Sequence, residues 1–180
     1  MACLRATARR RRRRGITGHV DFGKSTCQVR RLVTTKVGLA LRGVLSEICG
    51  ELLRVLVAED YEAVRKAVCA ILRARSDIEV CGEAENGKEA VQKANALKPD
   101  LIILDLTIPM LSGFEAAREI RKTLPDVPIL IVSMHESELL IEQAKKMGVQ
   151  GYVIKREVAK TLLVAVDALL RNQTFYADII

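Results

Sequence analysis

The sequence predicts an α/β protein: a doubly wound, five-stranded parallel sheet behind a basic N-terminal extension. Three observations point there. From residue 52 onward, short apolar runs alternate with amphipathic stretches. The runs RVLVA, LIIL, PILIV and GYVI are mostly aliphatic, as strands buried on both faces must be. Each run is followed by a polar residue: Glu59-Asp60, Asp105, Ser133 and Lys155 in turn.

The elements follow in chain order. Arg54–Ala58 reads as a strand. Tyr61–Arg75 has helical periodicity, with Val64, Ala67, Val68, Ile71 and Leu72 on one face. Ile78–Glu83 is a short strand, and Asn86-Gly87 marks a turn. Lys88–Leu97 is a helix that stops before Pro99. Leu101–Leu104 is the central strand. Ser112 is the expected N-cap of a helix over Phe114–Thr123, with Glu115 completing a capping box. Pro128–Val132 is the next strand. Ser137–Met147 is a helix closed by Gly148. Gln150–Ile154 is the last strand. Glu157–Arg171 is the last helix, with Leu162, Leu163, Val166, Leu169 and Leu170 facing inward. Five β-α pairs with right-handed crossovers leave few topologies, and a flavodoxin-like order, 2-1-3-4-5, is the natural one. It brings the polar strand ends to one edge of the sheet.

A chain of 180 residues is long enough for such a domain plus an extension. Its charge of +7 is uneven. Residues 1–50 carry 12 Lys/Arg against 2 Asp/Glu, and residues 51–180 carry 17 against 20. The folded part is mildly acidic, so the high pI does not argue for a nucleic-acid-binding domain. The 5 cysteines form no C-x-x-C pair and no cluster at metal spacing, which predicts reduced thiols and a cytoplasmic protein. No apolar run reaches the ~20 residues that span a bilayer.

Glu59, Asp60 and Asp105 are the first candidate site. Carboxylates crowded at a sheet edge repel one another unless a cation lies between them. Oxygen-only ligands favour Mg²⁺. Lys155 would point at the same place, where an ammonium can neutralise a phosphoryl group carried by Asp105. Ser133 could donate a hydrogen bond to that group.

On these residues the chain resembles a known family. Residues 52–173 are similar to the receiver domain of a bacterial two-component response regulator, through LVAED, LIILDLTIPMLSGFEAAREIR, PILIVSMHE and GYVIK. The resemblance implies that Asp105 is the phosphoacceptor. It implies that Glu59, Asp60, Asp105 and the backbone carbonyl of Thr107 hold Mg²⁺. Ser133 corresponds to the switch hydroxyl, Tyr152 to the aromatic that changes rotamer, and Lys155 to the family's lysine. Pro109 and Gly113 correspond to the turn after the acceptor. Arg156 departs from the frequent proline after that lysine. The implied partners are a sensor histidine kinase and a second copy, docking on the face of the fourth helix, fifth strand and fifth helix. The domain would be a signalling module rather than an enzyme, switched by phosphorylation and related to transcription. ALLRNQTFYADII resembles the end of receivers that precede a LuxR-type helix-turn-helix, and no DNA-binding domain is expected in the chain. The expected organisation is a basic extension over 1–50, a receiver over 51–173 and a tail over 174–180.

Two other signals lie near the N-terminus. Gly18–Ser25, GHVDFGKS, satisfies the phosphate-loop pattern. An arginine run rather than a strand precedes it, and only about 25 residues separate it from the receiver. A P-loop nucleotide-binding protein is therefore the rejected alternative. Arg9–Arg14 is read as a solvated tail, with salt-sensitive nucleic-acid binding as its alternative. Val37–Leu53 has helical spacing.

Overall fold

The computed structural model describes residues 52–176. The phosphate-loop pattern, the arginine run and most of the helical stretch before Leu53 lie outside them.

The described chain alternates strand and helix throughout. The strands are β1 (Leu53–Ala58), β2 (Ile78–Ala84), β3 (Leu101–Asp105), β4 (Ile129–Ser133), β5 (Gly151–Ile154) and β6 (Phe175–Tyr176). The helices are α1 (Glu62–Arg73), α2 (Gly87–Leu97), α3 (Gly113–Thr123), α4 (Glu138–Lys146) and α5 (Val158–Leu170), with a short 3₁₀ turn over Lys155–Glu157. The sheet order is β2-β1-β3-β4-β5-β6, and all pairs are parallel. The predicted 2-1-3-4-5 order is present, with one addition. Phe175 and Tyr176, expected in a tail, pair with Gly151 and Tyr152 of β5. The reason is packing as well as pairing: Phe175 and Tyr176 lie against the two apolar clusters on opposite faces of the sheet. Tyr176 also donates its hydroxyl to the Val149 carbonyl at 2.8 Å.

Alternation along each strand divides the core in two. Leu56, Ile102, Leu104, Ile129, Ile131 and Tyr152 face α2, α3 and α4. Val55, Val57, Leu101, Ile103, Leu130, Val132 and Val153 face α1 and α5. Every residue of β3, β4 and β5 is buried. Water cannot serve these backbones, so the parallel ladders must.

Local signals set the helix ends. The Asn86 side chain accepts from Glu89 N at 2.8 Å and caps α2. Ser112 and Glu115 form the expected capping box on α3. Gly148 takes a left-handed φ of 68° after α4, as its place past the helix end requires.

Two helix faces differ from expectation. On α1, Ala67 is exposed, and the inward face is Arg65, Val68, Cys69 and Leu72. This is the i, i+3, i+4, i+7 set, displaced by one residue from the apolar reading. On α5, Leu170 is 41% exposed and Ala165 is buried in the row that carries Leu162, Val166 and Leu169. Leu53 opens β1 rather than closing a helix. Among the described residues no helix is long and apolar enough to cross a membrane.

Candidate functional site

Parallel strands carry their C-terminal ends to the same edge, and the polar residues that close them meet there. Asp105 is the last residue of β3, and its side chain is fully buried. Glu59 follows β1 and is buried, whereas Asp60 is exposed. Glu59, Asp60 and Asp105 each offer an oxygen, and these three atoms lie within 4.8 Å of one another. Lys155, directly after β5, reaches back across the edge. Its Nζ lies 2.9 Å from Glu59 Oε1 and 2.8 Å from Oε2. It is also 3.1 Å from Asp105 Oδ1, so the one ammonium pairs with both buried carboxylates.

The electrostatics follow from that crowding. Burial pushes the Glu59 carboxyl up from its ordinary value, and the charge of Asp105 adds to the rise; the Lys155 hydrogen bond opposes both without cancelling them. Burial alone would lower Lys155, but its hydrogen bond to Glu59 and the charge of Asp105 outweigh it and raise the group. Lys155 is therefore a firm cation among three acids. One ammonium leaves the cluster with surplus negative charge.

Asp105 Oδ1 is buried, and its close partner is the Lys155 ammonium, which it shares with Glu59. Three carboxylates thus have one cation between them. The oxygen-only donor set and the surplus negative charge together fit a hard divalent cation such as Mg²⁺.

The loop after Asp105 shapes the rest. Thr107 was expected to contribute its carbonyl. The contact that the structure adds is its hydroxyl, which donates to Asp105 Oδ2 at 3.1 Å. Gly113 N donates to the Leu106 carbonyl at 2.9 Å, drawing the start of α3 against the strand end. A Cβ on Gly113 would collide with the Asp105 carbonyl and come 2.8 Å from Leu106 Cα. Gly113 is thus needed for close approach; the left-handed residue of this turn is Met110, with φ 70°. The Pro109 carbonyl accepts from Gly87 N at 3.0 Å, tying the turn to α2.

Ser133 ends β4 and is fully buried. Its Oγ accepts from His135 N at 3.0 Å. Tyr152, on β5, is 0% exposed, and its hydroxyl donates to the His135 carbonyl at 2.8 Å. The two expected switch residues therefore hold one residue, His135, from both sides. Tyr152 fills interior space in this arrangement. No peptide bond of the described residues is cis, including that between Lys155 and Arg156.

Glu59, Asp60, Asp105, Thr107 and Lys155 thus gather at one edge, while Ser133 and Tyr152 meet at His135. The Thr107 hydroxyl and His135 were missed. Side chain–backbone clamps such as that on His135 leave no periodic signature, although a Thr two residues after a buried Asp was a legible hint.

Comparison with known proteins agrees with this geometry. Residues 55–167 match the family model described as the response regulator receiver domain. Response regulator protein VraR of Staphylococcus aureus (strain NCTC 8325 / PS 47) is 37% identical over 124 residues, covering 69% of this chain and 59% of VraR. The chain therefore spans 59% of the length of such a curated relative. Among solved structures, a two-component response regulator of the LuxR family from Aurantimonas sp. SI85-9A1 is similar at a TM-score of 0.67 and 30% identity, over 69% of this chain and 89% of the other. The response regulator domain of Thermotoga maritima CheB is similar at 0.61 and 32% identity, over 65% and 95% of the two chains.

Proposed function

Because the chain belongs to the response regulator receiver family, we propose that Asp105 accepts a phosphoryl group from the phosphohistidine of a sensor histidine kinase. One observation carries this reading. Three carboxylates and one half-buried ammonium, from the ends of β1, β3 and β5, converge on one point, with a single cation among three acids.

In the proposed reaction an Asp105 carboxylate oxygen attacks phosphorus. An acyl phosphate bond forms as the phosphorus–nitrogen bond breaks, and the departing imidazole keeps the electron pair. Lys155 loses part of its pairing with Asp105 and turns to the new phosphoryl oxygens. Asp60, Asp105, the Thr107 carbonyl and Glu59 would hold Mg²⁺, which would supply positive charge to the same oxygens. The Thr107 hydroxyl holds one Asp105 oxygen and so orients the other.

Readout would begin at Ser133. Once its hydroxyl turns to the phosphoryl group, it releases His135 N, and His135 then rests on Tyr152 alone. Loss of that clamp frees the segment leading into α4. The face of α4, β5 and α5 would then change its fit to a partner or to a second copy. The likeness to VraR and to a LuxR-family regulator supports a role related to transcription.

The test is intact mass after incubation with acetyl phosphate and MgCl₂. Wild type is expected to gain one phosphoryl group, and Asp105→Ala and EDTA-treated wild type none. An adduct that survives Asp105→Ala would refute the assignment.

A further inference from the structure

Arg65 stands on the inward face of α1 and is 7% exposed. A guanidinium taken from water must recover several hydrogen bonds. Arg65 finds them at two places. Its Nη1 donates to the main-chain carbonyls of Glu59 at 2.8 Å and Asp60 at 3.4 Å. Its Nη2 donates to Glu85 Oε1 at 2.8 Å, and its Nε lies 3.5 Å from Glu83 Oε2. The planar fork thus joins the β1–α1 turn to the end of β2. It spends its donors on the carbonyls of the acid pair and none on their carboxylates.

That choice matters because the Asp60 side chain has no such partner, and its turn is otherwise closed only by a long Tyr61 N to Glu59 Oε1 bond of 3.4 Å. No hydrogen bond or ion pair of the described residues reaches its carboxylate. Glu59 is different: its amide donates to the Ala84 carbonyl at 3.0 Å, and its side chain is held by Lys155. Where the Asp60 carboxylate points depends on its backbone, and the backbone is braced by Arg65.

We propose that Arg65 is a positioning residue for the divalent-cation site, fixing the Glu59–Asp60 main chain so that both carboxylates face Asp105. This rests on the reading of those three acids as the Mg²⁺ site. Two effects of Arg65 oppose each other. Its positive charge repels a cation nearby, so by charge alone its removal would tighten Mg²⁺ binding. Its hydrogen bonds orient the ligands, so its removal should weaken binding, as loss of outer partners of metal ligands commonly does.

The sign of the change decides. Mg²⁺ is titrated without phosphodonor into the full chain and followed by amide resonances, with urea unfolding in EDTA run in parallel. The proteins are wild type, Arg65→Lys, Arg65→Met and the control Arg73→Met. Arg73 pairs with the same Glu83 at 2.9 Å but is half exposed and does not touch the acid pair. Arg65→Lys is expected to weaken Mg²⁺ about tenfold. Arg65→Met should weaken it too, despite the lost positive charge, and Arg73→Met should leave it unchanged. The Asp60 and Tyr61 amide resonances should shift in both Arg65 variants before metal is added. Unchanged or tighter Mg²⁺ in Arg65→Met overturns the proposal, and so does equal weakening in Arg73→Met. If Arg65→Met does not fold, Arg65→Lys decides, because it keeps the charge and an unchanged affinity there is equally fatal. A wild type that binds no Mg²⁺ would overturn the reading of the site itself, and this inference with it.

Discussion

The two ends of the sheet each hold a long cationic side chain, and they use it differently. At the N-terminal end of β4 and β5, Arg121 of α3 donates to the carbonyls of Pro125 at 2.8 Å and Gly148 at 3.0 Å, to that of Val127, and to Gln150 Oε1 at 2.7 Å. Every partner is neutral, and four acceptors share one fork. At the C-terminal end, Lys155 faces two carboxylates with a third beside them, so one cation serves three acids. The first end is closed and the second is left short of positive charge. The molecule keeps its stability where the bonding is complete and its chemistry where it is not.

The sharpest way to test that contrast is to cut the closed end. Arg121→Ala leaves loop carbonyls without their donor and should cost about 2 kcal/mol of stability. Mg²⁺ affinity and phosphorylation of the folded fraction should not change. Urea unfolding paired with a metal titration measures both, and a loss of Mg²⁺ binding would show that the two ends are coupled. The open end should respond with the opposite sign. Asp105→Asn removes one of three crowded charges, so in EDTA it should stabilise the protein by about 1 kcal/mol while abolishing phosphorylation. A destabilised Asp105→Asn protein would mean that Lys155 needs Asp105 more than Asp105 burdens the site.

The smallest expected effect is a pH dependence. The folded Glu59 carboxyl is raised above its ordinary 4.5, so the native state keeps that proton to higher pH than the unfolded chain does. Stability from this group is full below the ordinary value and is lost as pH rises through the raised one. Lys155 is also raised, so its contribution persists below its ordinary 10.5 and goes only as pH climbs through the raised value. Metal-free protein should therefore show a modest fall in stability as pH rises above the ordinary carboxyl range. Glu59→Gln should flatten that fall, and Arg121→Ala should leave it in place.

These contrasts also explain what sequence could reveal. Glu59, Asp105, Ser133 and Lys155 were legible because each interrupts an aliphatic run at the point where a parallel strand must end. Sheet order followed from the β-α alternation and the handedness of crossovers. Arg65 was not legible, because an apolar face count passes over an arginine and gives no sign of the carbonyls it serves. Ala67 was misplaced for the converse reason, being small enough to sit on either face. The two-residue β6 is too short for periodicity to register, and it exists through packing of Phe175 and Tyr176.

The long reach of Lys155 has a consequence in time. Glu59 and Lys155 are 96 residues apart in the chain. A ribosome adding roughly 5–20 residues per second needs about 5–20 seconds to cover that distance. Throughout that interval the acids of β1 and then β3 are present without their lysine. The site is thus among the last features a growing chain can complete: its cation joins the acids only once the residue after β5 has emerged.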